Sequence, residues 1–372
     1  MSKAAAGDVD RRMMALALRL GRKGRPSPNP HVGAVVVRDG EVVGRGHHER
    51  AGLAHAEVVA LREAGERARG ATLYVTFEPC NHHGRTGPCT DAVLESEVGR
   101  VVIGCRDPAP HVPGAIERLR QAGIDVQVGL REEEARRLID DFAKHIRTGL
   151  PWVTLKAAVT LDGRMATTTG DSKWITGARA RKEAHRMRDR SDAVLVGVGT
   201  AIADDPQLTV RHVRGADPLR AVLDAHLRTP PGSQLIRHRS PRPTVIFHGP
   251  EAPAERREAL ERPGVELVEV PETEPGRLDA VAVLRELGQR DVVRLLVEGG
   301  PTVHAALLET GQADGVAVFV APVVLGAAAA PAFAAGVGVE RMADAWRIRA
   351  PRVQRLGADV LIEGAFERRG EG

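Results

Sequence analysis

Aromatic residues are scarce: Phe, Trp and Tyr make up 3% of the 372 residues. So few rings leave few platforms on which exposed bases could stack, which argues against a nucleic-acid binder. Cysteine is rarer still. Three cysteines cannot build a disulfide scaffold, and an odd count points to a reducing compartment. No apolar run approaches the ~18 residues needed to span a membrane. Met1–Asp10 lacks the apolar centre of a secretory signal. Neither sign of charge dominates. The 53 basic and 49 acidic residues leave a net +4, and the arginines are interleaved with acids, not massed in one stripe. These absences lead us to expect a cytoplasmic protein with no nucleic-acid or membrane partner. A small anionic substrate suits the mild positive balance better.

What is present reads as a folded α/β chain of two domains. The hydrophobic fraction is 42% and the charged fraction 27%, a globular balance, and the length suits two domains. The first half predicts a helix over 9–22, then strands over 32–38 and 41–46 joined at Asp39-Gly40. A helix over 55–68, a strand over 71–77, a short helix over 90–97 and a strand over 100–105 follow. A helix over 113–122, a strand over 124–128 and a helix over 131–147 complete it. One hairpin among alternating helices and strands implies a mixed sheet. Thr148-Gly149-Leu150-Pro151 marks a boundary, giving domains 1–149 and 150–372. The second half predicts strands over 152–160, 193–197, 219–224, 244–248, 292–297 and 315–320. Its Pro- and Glu-rich stretch, about Pro250 to Gly276, reads as loops around a short helix, and the alanine-rich 327–335 as a loop or small helix.

One cluster carries chemistry. His55-Ala56-Glu57 is followed by Pro79-Cys80 and Cys89. One imidazole and two thiolates suit zinc and leave a fourth position for water. Glu57 is then the group to carry a proton from that water to a leaving amine. His55 and Glu57 are two apart and share no helix face, so both reach one metal only from a helix N-terminus. The general zinc-deaminase pattern is H-x-E followed by P-C-x-x-C. Here eight residues separate the cysteines. A closed zinc site, with a fourth ligand from His82, His83 or Cys105, is the alternative, and it leaves Glu57 idle. Cys105 closes an apolar strand and reads as core.

The segment Glu78-Pro79-Cys80-Asn81-His82-His83-Gly84-Arg85-Thr86-Gly87-Pro88-Cys89 resembles the zinc loop of the riboflavin-pathway pyrimidine deaminases. Pro28-Asn29-Pro30-His31-Val32-Gly33 and Gly46-His47-His48-Glu49 resemble that family too. The resemblance implies a cytidine-deaminase-like α/β/α domain, with Asn29, His47 and His82 contacting substrate near the metal. Two departures stand out. The family's Asp-Pro-Asn-Pro is Asp107-Pro108-Ala109-Pro110 here, and the glycine turn after it is Val112-Pro113-Gly114-Ala115.

The second half is less transparent. Residues 195–200 and 295–301 are apolar strands opening into glycine turns, but neither is a full dinucleotide fingerprint. Lys156-Ala157-Ala158-Val159-Thr160-Leu161-Asp162-Gly163-Arg164 resembles the opening of the reductase fused to this deaminase. Ser172-Lys173-Trp174-Ile175-Thr176-Gly177, Gly199-Thr200, Ala203-Asp204-Asp205-Pro206, Leu208-Thr209 and Val297-Glu298-Gly299-Gly300 follow in the family's order. The resemblance implies a dihydrofolate-reductase-like α/β domain using NADPH. It places Lys156 and Asp204 at hydride transfer, and Ser172, Arg188, Leu208, Arg211 and Glu298 at substrate. The two arginines would meet a sugar phosphate. Ala158, Trp174, Thr200, Asp204 and Gly300 would meet the cofactor. Ala225-His226 departs where serine is common, and Ala327 stands where the family has a second glycine.

The expectation is therefore a bifunctional riboflavin-pathway enzyme that needs Zn2+ and NADPH. It would deaminate 2,5-diamino-6-(5-phosphoribosylamino)pyrimidin-4-one. It would then reduce the ribosyl side chain to give 5-amino-6-(5-phosphoribitylamino)uracil. Similar enzymes self-associate, which implies a homo-oligomer; residues 316–325 could form an interface or a core strand.

Overall fold

The computed structural model describes residues 3–84, 87–109 and 114–367. Arg85 and Thr86 of the zinc loop, and Pro110–Pro113 of the altered turn, lie outside the described residues. The chain forms two compact units, Met1–Gly149 and Leu150–Gly372. Gly149 ends the last helix of the first unit in the left-handed region (φ 70°), a common helix stop, with Pro151 just beyond.

The first unit opens with helix α1 (Lys3–Gly21), then strands β1 (Gly33–Arg38) and β2 (Glu41–His47). Asp39 and Gly40 both take positive φ (49° and 83°), the twist a two-residue hairpin requires. Helix α2 (Ala56–Ala64) runs on into a single 3₁₀ turn over Gly65–Ala68, and β3 (Thr72–Phe77) and α3 (Cys89–Glu95) follow. Strand β4 (Arg100–Cys105), α4 (Ala115–Gln121), β5 (Asp125–Val128), α5 (Glu132–Leu138) and α6 (Asp140–Thr148) finish the unit. The predicted helix over 131–147 is thus two helices. They part at Ile139, whose backbone (φ −122°, ψ 15°) leaves the helical region while its side chain enters the core.

The sheet order is β2-β1-β3-β4-β5, antiparallel about β1 and parallel from β3 onward. It is the mixed sheet expected from one hairpin and two crossovers. Helix α1 packs on β1, β2 and β3 and meets α5, while α2 packs on β1, β2 and β3 and meets α3. Two glycines set the close approach. A side chain at Gly33 would strike Ala17 of α1, and one at Gly46 would strike the Ala56 carbonyl of α2. Gly46→Ala is therefore expected to destabilise this unit by about 1–3 kcal/mol through overpacking. Because α2 carries Glu57 and follows His55, we expect weakened zinc retention as well. Denaturant unfolding with metal analysis would test this; unchanged stability would mean α2 can shift without cost.

The second unit begins with β6 (Trp152–Thr160), α7 (Ala178–Asp189), β7 (Ala193–Gly197), α8 (Val198–Asp204) and β8 (Leu219–Leu223). Helix α9 (Gln234–Arg237), β9 (Thr244–His248), α10 (Ala254–Leu260) and β10 (Val265–Glu269) follow, then a small hairpin, β11 (Glu272–Glu274) and β12 (Arg277–Leu278). Helix α11 (Ala280–Gln289), β13 (Arg294–Val297), α12 (Pro301–Glu309), β14 (Gly315–Ala321), β15 (Ile348–Leu356) and β16 (Asp359–Phe366) complete it. The nine-stranded order is β10-β9-β8-β7-β13-β6-β14-β16-β15. All pairings are parallel from β10 to β14, and the last two are antiparallel.

Three strands of this sheet escaped the sequence reading, as did the small β11–β12 hairpin. In β10, Val265-Glu266-Leu267-Val268-Glu269 is a half-exposed edge, and its acids resemble the loops around it. Strand β15 is the other edge, with Pro351 at a register shift, where proline does not break the ladder. Strand β16 pairs with it on one side and with β14 on the other. The segment 316–325 divides. Val316 and Phe319 are buried in β14, an interior strand, while Val323 and Val324 beyond it are exposed. The alanine-rich 327–335 holds no helix.

Candidate functional sites

The candidate metal ligands sit where three chain segments meet. His55 is the residue just before α2 (φ −72°, ψ 163°), and Cys89 is the first residue of α3. This is the helix-end geometry that residues 55 and 57 need to face one point. His55 Nδ1 lies 3.1 Å from Cys89 Sγ and 3.5 Å from Cys80 Sγ. All three donor atoms fall within 4.8 Å of one another. The backbone N–H of Cys89 donates to Cys80 Sγ at 3.3 Å, and the N–H of Thr90 donates to the Cys80 carbonyl. Farther along the same loop, Asn81 Oδ1 accepts from Thr90 Oγ1 (2.8 Å) and from Arg118 (2.7 Å).

The electrostatics suit a cation. Hydrogen bonds from Cys89 first and His55 next push the Cys80 thiol down to about 4, against the effect of burial. That lowering favours the thiolate, the form a metal requires. Cys89, its partner, is pushed up by that bond and by burial. Glu57 is buried and Oε2 has no hydrogen-bond partner. Burial pushes its carboxyl up to about 7, opposed by His55. A buried carboxylate oxygen facing a soft N/S₂ donor set fits zinc with one exchangeable position. Cys105, buried at the end of β4, donates to the Thr76 carbonyl and is no part of that donor set.

The structure singles out a histidine that the sequence reading passed over. His48, not His47, stands beside the ligands. Its ring meets that of His55 edge-on at 4.9 Å. His48 Nδ1 faces the Ala54 carbonyl at 3.2 Å, so that nitrogen donates, and Nε2 accepts from Asn29 Nδ2 at 3.0 Å. Asn29 is thereby joined to the metal site through His48. His47 ends β2, half-buried and paired with Gly33, and His82 is exposed. The signal for His48 was strand alternation: consecutive residues face opposite ways.

In the second unit, parallel register brings distant residues together. Val297 pairs with Leu155, so Glu298, one residue beyond β13, comes level with Lys156. Lys156 Nζ lies 3.4 Å from Glu298 Oε2. Arg188, from the last turn of α7, grips the same carboxylate with Nε at 2.6 Å and Nη2 at 2.9 Å. The three side chains are 16%, 8% and 13% exposed for Lys156, Glu298 and Arg188. Burial would raise the Glu298 carboxyl, but Arg188 and Lys156 outweigh it and hold it far below the usual range. The sequence reading gave Arg188 to a sugar phosphate; its fork instead faces Glu298.

Arg211 is left as the outward cation. Its Nη1 donates to Thr209 Oγ1 (2.9 Å), while Arg188 donates to the Thr209 carbonyl (3.1 Å). Buried His185, another residue the sequence reading missed, accepts from the Arg211 N–H through Nδ1 at 3.1 Å. Leu208 is buried at φ 56° in the same segment. Lys173, between Ser172 and Trp174, reaches the Asp204 carbonyl at 3.4 Å. Trp174 itself is exposed, with Arg181 over its ring at 4.5 Å.

A cavity of about 360 Å³ opens at the carboxyl ends of β7, β8 and β13, where parallel α/β sheets commonly hold ligands. Gly197, Thr200 and Gly300 line it. Thr200 Oγ1 would be 3.7 Å from a side chain at Gly300, and Val303 fills the space beside Gly197 and Gly299. Gly197, Gly199 and Gly300 leave backbone open to the cavity, a lining that fits a dinucleotide. Ala158 and Trp174 are not among its lining residues. Ala158 lies on β6 beside Phe319.

Comparison with known proteins agrees with both halves. Residues 8–105 match the model of the cytidine and deoxycytidylate deaminase zinc-binding region, and residues 151–362 match the RibD C-terminal domain. The riboflavin biosynthesis protein RibD of Aquifex aeolicus is 44% identical over 95% of this chain and 98% of its own. That of Escherichia coli is 42% identical over 95% and 98%. The chain belongs to the RibD family. Solved RibD structures resemble both halves of this chain. Acinetobacter baumannii RibD superposes with a TM-score of 0.85 at 37% identity, covering 97% of this chain and all of that one. The Thermotoga maritima diaminohydroxyphosphoribosylaminopyrimidine deaminase/5-amino-6-(5-phosphoribosylamino)uracil reductase gives 0.83 at 36%, covering 96% and 99%.

As a RibD protein the chain is a bifunctional riboflavin-pathway enzyme, a zinc-dependent pyrimidine deaminase joined to a reductase of the NADPH-using kind. Its departures from the RibD pattern now have positions. Ala109 lacks the amide side chain, yet its N–H donates to Asp107 Oδ1 (2.8 Å) and the Asp107 N–H donates to Glu78 Oε2 (3.2 Å). The carboxylates of Asp107 and Glu78 thus hold the backbone of Ala109 and Asp107. Ala225 and His226 both line the cavity. No helix among the described residues is long and apolar enough to cross a membrane.

Proposed function

We propose that residues 1–149 carry out the deamination and residues 150–372 the reduction, with the roles that follow. The observation that carries the deaminase half is the convergence of His55, Cys80 and Cys89 beside an unpartnered oxygen of buried Glu57. Bound zinc supplies Lewis acidity that makes a water nucleophilic near neutral pH. Glu57 takes the proton of the attacking water at Oε2 and returns it to the departing amine, which leaves as ammonia. Asn29, oriented by His48, binds the pyrimidine, and His48 takes the place that the sequence reading gave to His47. His82, exposed at the zinc loop, contacts the substrate.

In the reductase half, bound NADPH supplies the hydride. Lys156, whose Nζ lies 3.4 Å from Glu298, delivers a proton to the sugar oxygen freed as the ribose opens. Asp204 assists hydride transfer beside the cofactor, and Ser172 and the Leu208 backbone bind the substrate. Arg211 meets the phosphate, while Arg188 keeps Glu298 charged. Thr200 and Gly300 line the cofactor's seat. Ala158 and Trp174 act at the nicotinamide end, away from the cavity. We place the enzyme in the cytoplasm, as a homo-oligomer; three reduced cysteines support that compartment.

The test is metal removal. Chelation of the full chain should abolish ammonia release from the diaminopyrimidine and leave NADPH-dependent reduction of the deaminated compound intact. Zinc should restore the first activity. Loss of both activities with the fold intact would defeat the division into two sites.

A further inference from the structure

Two residues separate the cysteines in the general zinc-deaminase pattern, and eight separate them here. A longer loop costs more entropy to close. Its ends therefore need a hold from elsewhere if both sulfurs are to stay on one point. The hold comes from α4. Ile116 and Leu119 bury one face of that helix in the core of the first unit, so Arg118 projects from a fixed support. Its Nη1 donates to Asn81 Oδ1 at 2.7 Å and to Thr90 Oγ1 at 2.9 Å. Its Nη2 meets Asp91 Oδ1 at 2.7 Å. Thr90 Oγ1 donates in turn to Asn81 Oδ1 at 2.8 Å, which closes a triangle. Asn81 directly follows Cys80, and Thr90 directly follows Cys89. One guanidinium thus grips the chain beside both thiol ligands.

We propose that Arg118 is a positioning residue for the metal: it fixes the spacing of Cys80 and Cys89 and so sets how tightly zinc is held. The proposal rests on the deaminase reading above. The two ends of the loop already meet through the Cys89 N–H on Cys80 Sγ and the Thr90 N–H on the Cys80 carbonyl. Arg118 ties that local closure to α4 and, through α4, to the core. Its pair with Asp91 is 41% and 40% exposed, and a pair that open contributes little stability by itself. Its use is geometric, because it turns the fork so that the other arm spans Asn81 and Thr90. Arginine suits this task. The planar guanidinium holds its donors at fixed angles, whereas a lysine ammonium is a single point on a flexible stem.

Zinc affinity of the full chain, measured by competition with a chelator, tests the proposal. Arg118→Gln should bind zinc about 10–100-fold more weakly, the usual worth of a group that orients metal ligands from behind. The visible absorption bands of the Co2+-loaded variant should also differ from those of the unaltered protein, because they report ligand geometry. Arg118→Lys should fall between the two. Arg120→Gln serves as control: that arginine, in the same helix, donates to the Val126 carbonyl at 3.2 Å, and zinc binding should be unchanged. Asn81→Ala removes the acceptor and leaves α4 intact. It should weaken zinc as well, and the double variant should lose less than the product of the two single losses, because both break one contact. An unchanged Tm of the metal-free protein shows that each variant keeps its fold. Should Arg118→Gln lower that Tm, Asn81→Ala decides. Unaltered zinc affinity and Co2+ bands in a stably folded variant, or fully multiplicative losses, overturn the proposal and leave the deaminase reading standing. If the unaltered protein takes up no zinc, the proposal and that reading fail together.

Discussion

Glu57→Gln is expected to lower ammonia release by roughly 10²–10⁴-fold, the usual share of a general acid–base group. Reduction of the deaminated substrate should be untouched. Glutamine keeps the size of the side chain, so it neither opens a cavity nor crowds the buried site. It cannot take a proton at Oε2, the atom that has no partner in the fold. The zinc ligands His55, Cys80 and Cys89 are unaltered, and metal content should stay near that of the unaltered protein. Two assays and one metal analysis decide the matter. If ammonia release persists, Glu57 is a buried structural carboxylate and the closed-site alternative revives. Loss of zinc together with deamination would make Glu57 a support for the metal instead of a proton carrier.

The deaminase chemistry was legible because its parts are local. His55 and Glu57 are adjacent in sequence to a helix start, and Cys89 opens the next helix. Residue types and a helix start therefore pointed to convergence of His55 and Glu57, and the resemblance of the Cys80–Cys89 loop supplied the second cysteine. The role of His48 was not legible in the same way. Residues 47 and 48 are both histidine, and alternation shows only that they face opposite ways; the pairing of His47 with Gly33 leaves His48 to reach Asn29. The reductase cluster is the opposite case. Lys156 and Glu298 are 142 residues apart, and Arg188 and Glu298 are 110 apart. Nothing short of the β6–β13 register reveals that these charges satisfy one another. Family resemblance named the residues but assigned Arg188 outward, to a phosphate, where the fold turns it inward. Edge strands β10 and β15 were missed for a related reason. Half-exposed edges carry acids, arginines and a proline, so composition makes them look like loops.

Glu298→Ala is expected to abolish reduction and to destabilise the second unit by about 3–5 kcal/mol, while deamination continues. The carboxylate is the common partner of two cations that are themselves largely buried. Removing it leaves Arg188 and Lys156 close together and uncompensated, which costs more than the ion pair contributes. The pH dependence has a definite sign. In the fold the Glu298 carboxyl lies well below its ordinary range, so its contribution is full above the unfolded value of about 4.3. That contribution declines as pH falls below this value toward the folded one. The stability gap between the unaltered protein and Glu298→Ala should therefore be wide at neutral pH and narrow in acid. Denaturant unfolding at neutral and acidic pH, read beside both half-reactions, tests the whole arrangement. A gap that widened in acid, or a variant that still reduced its substrate, would mean that Glu298 neither pairs with Lys156 nor anchors Arg188. Glu298→Gln sharpens the outcome. It restores the shape and some hydrogen bonds but not the charge, so it should recover part of the stability and little of the reduction.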